Sequence, residues 1–314
     1  YYEILMKMKN IYICYTLYHL LISLCKRDLF GKIIILTTRI NNYAIYKRRI
    51  EKLFPEIPVL IVDDSDYSKK YKLFYPKRIK QELFSITNGN KIHIYNDYTQ
   101  LGYFFHRNAI PYHLMEDGYN SLKHPTSIAP DGLCDKIKGK ITNTPRYHGF
   151  SKYCKTIEVS SLKDLPTDER MSKFIEKPKD GLFSDLDNKT KESILKIFDI
   201  ASIDIEIASP SALILTQPLE EHFKSQEEIY QFYKSIVEEY IDKGYHIYIK
   251  VHPRDNIDYS NLNATVIQRN IPIELFDFLE NIKFDVGITY FSTALDFLNC
   301  VNKKIFLYNI KDIK

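Results

Sequence analysis

Short apolar runs alternate with longer segments that carry one apolar face along the first third of the chain. Residues 32–37 are mostly Ile and Leu, so both faces of the predicted strand are apolar, as is typical of a buried parallel strand. Strands alternating with helices predict βαβ units and a parallel sheet. The pattern predicts strands at residues 10–15, 32–37, 59–62, 91–95 and 112–115, and helices at 17–25, 43–53 and 98–107.

The middle of the chain lacks this regularity. Residues 143–150 are rich in turn-forming residues, and residues 166–187 collect Pro, Asp, Lys and Gly, so we place a linker in the second stretch. Residues 188–198 follow as a connecting helix, because Ile194, Leu195 and Phe198 fall on one face.

The pattern is clearest in the last third. Gly244 ends a predicted amphipathic helix, since glycine readily adopts the left-handed conformation that stops a helix. The whole chain then reads as an α/β protein of two facing Rossmann-like domains, residues 1–180 and 181–314, with a cleft between them. Strands are predicted here at residues 212–216, 245–251, 265–268, 284–288 and 304–308, and helices at 226–243, 272–281 and 292–301.

Composition excludes several classes of function. Forty-four Lys and Arg against 40 Asp and Glu leave a net charge of +4, which is too small for a dedicated nucleic-acid binder. No run approaches the roughly 20 apolar residues of a membrane span. Five scattered cysteines, an odd number without paired spacing, fit reduced thiols. We therefore expect a soluble protein of the cytoplasm, with contact at the inner face of the membrane left open.

Ligands of open α/β sheets bind at the carboxyl ends of the strands, and three such ends carry chemistry. Glu116-Asp117-Gly118 could supply a general base, although Asp-Gly is also a common turn. His252 follows a predicted strand, and Pro253 holds it out of the helical region, so its imidazole could donate a proton.

The third strand end is Ser292-Thr293, at a predicted junction between strand and helix. Hydroxyls and free N–H groups at a helix N-terminus suit a phosphate, although capping alone would explain them. Glu274, in the first turn of another predicted helix, could accept hydrogen bonds from a ribose.

Together these residues resemble glycosyltransferase family 52, bacterial sialyltransferases of lipooligosaccharide and capsule with the GT-B fold. The resemblance rests on the three motifs in order and on two segments, ICYTLYH at residues 13–19 and LTQPL at residues 215–219. It implies inverting transfer of sialic acid from CMP-sialic acid to a surface glycan, with a galactose terminus expected. Because only one phosphate must be neutralised, no metal or other cofactor is expected.

The resemblance also assigns roles. Glu116 would match the base, with Asp117 supporting it, and one sequence leaves the reverse open. His252 would protonate or hydrogen-bond the departing phosphate, and the base would lie in the N-terminal, acceptor-side domain. The donor site would lie in the C-terminal domain, formed by Gln217, Lys250, Pro253, Glu274, Ser292 and Thr293. Thr293 stands where relatives can carry a second Ser, and the family also includes glucose-transferring members, so the donor stays open.

Two other interpretations compete. Asp64-Ser65-Asp66 is a DxD motif at a strand end, the pattern by which GT-A transferases hold a metal on a diphosphate. Residues 69–80 interleave basic and aromatic side chains, which could bind single-stranded nucleic acid or an anionic membrane and so suit a lipid-linked acceptor. A pure binding protein would not need the base, acid and phosphate residues at matched strand ends.

Overall fold

The structure is a computed structural model that describes residues 8–28, 31–67, 77–117, 122, 147–200 and 206–308. The chain divides into two compact units between Ile197 and Phe198. The sequence placed the boundary at 180/181, before the helix at residues 188–197. That helix packs on the helix at residues 43–53, where Arg49 Nη1 donates to Ile197 O at 2.9 Å.

The first unit contains one seven-stranded sheet in which every neighbouring pair is parallel. The strand order is 3-2-1-4-5-6-7. The second and third strands are added on one side of the first strand and the later strands on its other side, so the strand order reverses between β1 and β4. The strands are β1 (Asn10–Cys14), β2 (Lys32–Thr37), β3 (Val59–Val62), β4 (Lys91–Ile94), β5 (Tyr112–Met115), β6 (Cys154–Val159) and β7 (Phe174–Glu176). The helices are α1 (Leu17–Cys25), α2 (Tyr43–Leu53), α3 (Lys77–Thr87), α4 (Gln100–Arg107), α5 (Lys179–Ser184) and α6 (Asn188–Ile197).

The apolar runs form the core of this sheet, as the sequence predicts. Ile11, Ile13 and Ile35 are fully buried, and residues of α4 pack on the same cluster. Thr16 caps α1, because its hydroxyl accepts the backbone N–H of His19. The predicted α/β class with a parallel sheet is confirmed in this unit.

The predicted linker at residues 166–187 is wrong. This stretch contains β7, which pairs with β6 at the edge of the first sheet, and α5. Its polar composition reflects an edge strand with two exposed positions rather than a chain between domains.

The second unit contains a five-stranded parallel sheet of order 10-9-8-11-12, which reverses between β8 and β11. Its helix α7 (Gln226–Asp242) begins where Ser225 Oγ accepts the N–H of Glu228, and ends before Gly244, whose φ is +84°. This is a second Rossmann-like unit, as predicted. The strands are β8 (Ser211–Leu215), β9 (His246–Lys250), β10 (Thr265–Ile267), β11 (Phe284–Thr289) and β12 (Val301–Phe306).

The helix predicted at residues 292–301 is wrong. The described chain forms only a short 3₁₀ turn at Leu295–Phe297. The side chains of Leu295 and Leu298 are both buried, and burying both holds this segment close to the sheet in place of a regular helix. The helix predicted at residues 272–281 is likewise a 3₁₀ segment, Ile273–Phe278. The helix dipole expected beside Ser292 is therefore missing.

Gly287, in β11, lets this turn lie against the sheet. A Cβ on Gly287 would lie 2.6 Å from Leu295 Cδ1 and 2.7 Å from Val301 Cγ1. We expect Gly287→Ala to destabilise the second unit by about 1–3 kcal/mol, the usual cost of overpacking. Urea unfolding followed by hydrogen exchange of the second sheet measures this. Gly181→Ala is the control, since a Cβ there meets nothing within 4 Å, and equal stability of the two variants would contradict the packing argument.

No helix within the described ranges is both long enough and apolar enough to cross a membrane. The basic and aromatic stretch at residues 69–80 cannot be tested, because residues 68–76 and the side chains of residues 77–80 lie outside the described part of the chain.

Candidate active site

The carboxyl ends of the strands beside each reversal point are where open parallel sheets bind ligands. In the first unit these ends carry Asn96 after β4 and Asp117 after β5, together with His19 in α1, which follows β1. Asp117 Oδ1 lies 2.7 Å from His19 Nε2, and Asp117 Oδ2 lies 3.4 Å from Asn96 Nδ2. The side chain of Asp117 is 31% exposed, so a ligand can reach it.

Glu116 is in a different environment. Its side chain is 4% exposed, and both of its oxygens are used. Oε1 accepts from Lys179 Nζ at 2.7 Å, and Oε2 accepts from both the backbone N–H and the hydroxyl of Ser160, each at 2.7 Å. Burial acts to lower the pKa of Lys179, but Tyr18 and Glu116 outweigh it and the pKa is raised, so this partner stays charged. Of the two carboxylates, Asp117 is thus the one that a ligand can reach, whereas Glu116 is fully engaged by protein groups, so of the two orders that the sequence left open the geometry favours Asp117 as the candidate base.

A small cavity of about 10 Å³, close to the volume that one water needs, is lined by Asp117, Asn96 and His148 among others. His148 has a left-handed backbone with φ of 57°, and its buried Nε2 has no hydrogen-bond partner within the described ranges. Asp97 accepts the backbone N–H of His148 at 2.7 Å. Burial lowers the pKa of His148, so this imidazole is neutral near pH 7. It faces the same cavity as the candidate base.

Arg170 holds the segment that carries His148. It is fully buried, and its guanidinium donates to His148 O at 2.8 Å, to Leu122 O at 3.0 Å and to the carboxylate of Asp168. The ring of Phe150 lies 4.4 Å from the guanidinium carbon. One side chain therefore ties together three stretches of chain near the site.

A larger cavity of about 380 Å³ lies at the carboxyl ends of β5, β6 and β7. Its wall shares Tyr95 and Met115 with the small cavity, and it combines aromatic side chains with charged groups. Such a lining suits a hydroxyl-rich ligand, because sugars stack on aromatic faces and bond to carboxylates. Further lining residues are Tyr18, Lys26, Glu116, Glu158, Glu176, Lys177, Lys179 and Asp185.

In the second unit, the end of β8 joins the two loops that carry the predicted residues. Thr216 Oγ1 accepts the backbone N–H of His252 at 3.0 Å, and Gln217 Oε1 accepts the backbone N–H of Phe291 at 2.8 Å. Gln217 is itself buried, and its backbone N–H donates to the hydroxyl of Tyr233 at 2.9 Å. The pair Thr216-Gln217 thus brings the His252 and Ser292 loops to the same reversal point.

His252 is half-buried, whereas Pro253 is exposed. The backbone N–H of Arg254 donates to His252 Nδ1 at 3.1 Å, so the ring proton of a neutral imidazole is on Nε2. Burial, and then the positive charges of Arg254 and Lys250, lower the pKa of His252 to about 4. The unliganded side chain is therefore a neutral hydrogen-bond donor, and a bound anion would favour its protonation.

Lys250 points into the protein. Its Nζ donates to Val251 O at 2.8 Å and to Arg269 O at 3.3 Å. Burial lowers the pKa of Lys250 to about 8, although the carboxylate of Glu274 counters this. Lys250 therefore holds the loops that follow β9 and β10 together.

Ser292 and Thr293 lie in the turn after β11, and both are partly exposed. Ser292 Oγ accepts the backbone N–H of Ala294 at 3.3 Å, and Thr293 O accepts that of Asp296 at 3.2 Å. Their hydroxyls stand at the carboxyl edge of the sheet without the dipole of a following helix.

The DxD motif does not form an open metal site. Asp64 is buried, and it pairs with Arg39 Nη2 at 2.5 Å and accepts from the hydroxyl of Tyr15 at 3.3 Å. Within the described ranges, no cluster of three or more His, Cys, Asp or Glu side chains could hold a metal ion.

Comparison with known proteins gives a family and one curated relative. The family model of glycosyltransferase family 52 matches residues 29–312. An uncharacterised protein of Haemophilus influenzae is 32% identical over 164 residues, which are 50% of this chain and 51% of that protein. The match thus spans about half the length of that curated relative.

Two solved structures align with most of the chain at low identity. One is UDP-GlcNAc 2-epimerase from Neisseria meningitidis bound to UDP-GlcNAc, at 13% identity and a TM-score of 0.48, covering 92% of this chain and 78% of that one. The other is UDP-GlcNAc 2-epimerase from Methanocaldococcus jannaschii, at 15% identity and a TM-score of 0.42, covering 90% and 78%.

Proposed function

Because the chain belongs to glycosyltransferase family 52, we propose that it is an inverting sialyltransferase that moves sialic acid from CMP-sialic acid to a galactose-terminated glycan. The observation that supports this most is the pair Thr216-Gln217, which holds the His252 loop and the Ser292 loop at one reversal point of the second sheet. A neutral imidazole and two hydroxyls there suit one phosphate.

The proposed reaction divides between the two units. Asp117 takes the proton of the acceptor hydroxyl, and the acceptor oxygen bonds to the anomeric carbon of the sugar as the bond from that carbon to the phosphate oxygen breaks. The bonding electrons leave with CMP. His252 donates its Nε2–H to the departing phosphate, and Ser292 and Thr293 donate their hydroxyls, so charge is stabilised where it develops.

We place the acceptor glycan in the cavity of about 380 Å³ in the first unit. This cavity adjoins the residues around Asp117, and its mixture of aromatic and charged groups suits a saccharide. A lipid-linked acceptor and contact of residues 69–80 with a membrane surface stay predictions, as does the assignment of Glu274 to the ribose.

The proposed reaction needs no metal. The leaving group carries one phosphate, and the donors around His252 would act in place of a cation. The glucose donor, the metal-dependent alternative and the non-enzymatic alternative are separated from it by a UDP-sugar assay, with and without Mn²⁺, run beside a CMP-release assay.

That assay measures CMP release from CMP-N-acetylneuraminic acid in excess EDTA, with and without a galactose-terminated acceptor. We expect acceptor-stimulated release by the wild type, and about a 10²–10³-fold loss of kcat in His252→Ala, the usual cost of removing a group that stabilises developing charge. His246→Ala is the matched control, because His246 is exposed at the opposite end of the same strand.

Equal activity of the two histidine variants would remove His252 from the mechanism. Turnover of a UDP-sugar that requires Mn²⁺, without CMP release, would move the site to Asp64 and Asp66. Binding of a partner without any turnover would favour the non-enzymatic alternative.

A further inference from the structure

The hydrogen bonds of His19 select the tautomer of its neutral ring. The backbone N–H of Tyr15 donates to His19 Nδ1 at 3.2 Å, so Nδ1 carries no proton. The proton of a neutral ring is then on Nε2, which lies 2.7 Å from Asp117 Oδ1 and donates to it. Both ring nitrogens are used, and the residue is 1% exposed, so the ring of His19 is turned towards Asp117 and not towards a ligand.

The ring of His19 is also fixed in space. It stacks on Tyr95 with 4.1 Å between ring centroids and 4° between ring planes. Ser23 Oγ donates to His19 O at 2.8 Å and bonds the Tyr95 hydroxyl at 2.8 Å, so both stacked residues are tied to the same hydroxyl. The donor that meets Asp117 is therefore rigid.

Among the residues that the structure describes, Asp117 is held firmly on one side only. Oδ1 receives the strong hydrogen bond from His19, whereas Oδ2 lies 3.4 Å from the amide of Asn96. A carboxylate oriented through one oxygen leaves the other with lone pairs for a ligand hydroxyl. This is the arrangement that a general base requires.

We propose that His19 is a positioning residue for the transfer reaction, which holds the Asp117 carboxylate through Oδ1 so that Oδ2 accepts the proton of the acceptor hydroxyl. This inference rests on the proposed function, but it concerns a buried residue to which the proposed reaction assigns no step. The connection between β1 and α1 would then serve to position the base, because Tyr15 and His19 lie on either side of the start of α1.

The experiment compares His19→Phe and His19→Gln with the wild type in the CMP-release assay. Phe keeps a ring on Tyr95 and loses the donor, so kcat should fall about 10–100-fold, as when orienting hydrogen bonds are lost at other sites. Affinity for CMP should stay within about twofold, because the nucleotide binds to the other unit. Gln, whose amide can reach Asp117, should recover part of kcat. His93→Phe is the control, because it makes the same substitution at another ring that stacks on a tyrosine, Tyr12, and whose side chain bonds Asn10 rather than Asp117.

A double-mutant cycle with Asp117→Asn separates positioning from mere structural support. If His19 acts through the carboxylate, His19→Phe should cause little further loss in the Asp117→Asn background. Multiplicative losses, or a His19→Phe variant with the kcat of the wild type, would overturn the inference. A wild type that shows no transfer would instead overturn the proposed function, and in that case the tautomer still tests His19: a proton on Nδ1 in ¹⁵N spectra contradicts the arrangement.

Discussion

Replacing Asp117 by Asn should lower kcat by about 10²–10⁴-fold, the range that a positioned general base contributes. Asn fits the same space and can still accept from His19, but its amide cannot take a proton. The affinity for CMP and the unfolding midpoint should change little, because Asp117 is partly exposed and its side chain keeps the same size. Steady-state kinetics, calorimetric titration with CMP and thermal unfolding measure the three quantities.

Glu116→Gln is the informative comparison, since the two carboxylates are adjacent. It leaves the buried Lys179 without its anionic partner, so we expect lower folding stability as the main effect. Asp66→Asn, at an exposed carboxylate outside the site, should change neither kcat nor folding stability. An Asp117→Asn variant within about tenfold of wild-type kcat, together with a Glu116→Gln variant that folds but does not turn over, would return the role of base to Glu116.

Replacing Arg170 by Met should destabilise the first unit by about 3–5 kcal/mol, the cost of breaking a buried ion pair from one side. The change leaves the carbonyls of His148 and Leu122 without their donor and removes the partner of Asp168. The backbone N–H of residue 170 would still donate to Asp168, so the loss is that of the charged partner. The change also removes the cation that lies over the ring of Phe150. Hydrogen exchange as a function of urea measures the effect on the first sheet, with the second sheet as the internal reference.

Arg48→Met is the matched control, because the same substitution at an exposed arginine should stay within about 0.5 kcal/mol. If Arg170→Met and Arg48→Met unfold at the same urea concentration, the network of Arg170 does not stabilise the unit. A decrease confined to the first sheet would instead confirm that Arg170 stabilises the first unit by joining residues 147–150 to the segment of Asp168.

The periodicity of the sequence predicts much of the fold because the strands direct apolar side chains into the interior. The bounds predicted for α1, β2, α2, β3 and β5 coincide with those observed, and each of these elements contributes buried apolar residues. Prediction failed where local signals were weak. The three-residue strand β7 has no apolar alternation, and Leu295 turns an apparent helix into a 3₁₀ turn by packing on Gly287. Such outcomes depend on tertiary contacts that no local window contains.

The candidate site was predictable only as positions at strand ends. Sequence could place Asp117 and His252 there, but not distinguish Glu116 from Asp117, because that depends on Lys179, which is 63 residues away from Glu116. The sequence analysis also missed the hydrogen bond from the backbone N–H of His252 to Thr216 Oγ1, although Thr216 belongs to the LTQPL segment. A hydrogen bond between segments that are distant in the sequence produces no recognisable residue spacing, so a sequence motif cannot reveal it.

The bond between Glu116 and Lys179 also has a consequence for the order in which the protein matures. Chains are synthesised from the N-terminus, and early segments begin to fold before later ones emerge. Glu116 enters the interior accompanied by a cation that is made 63 residues later, just after the edge strand β7. A nascent chain that ends before this lysine would have to bury the Glu116 carboxylate with the hydrogen bonds of Ser160 but without its cation. We therefore expect the surroundings of Glu116 to become ordered only after the edge of the first sheet has been synthesised.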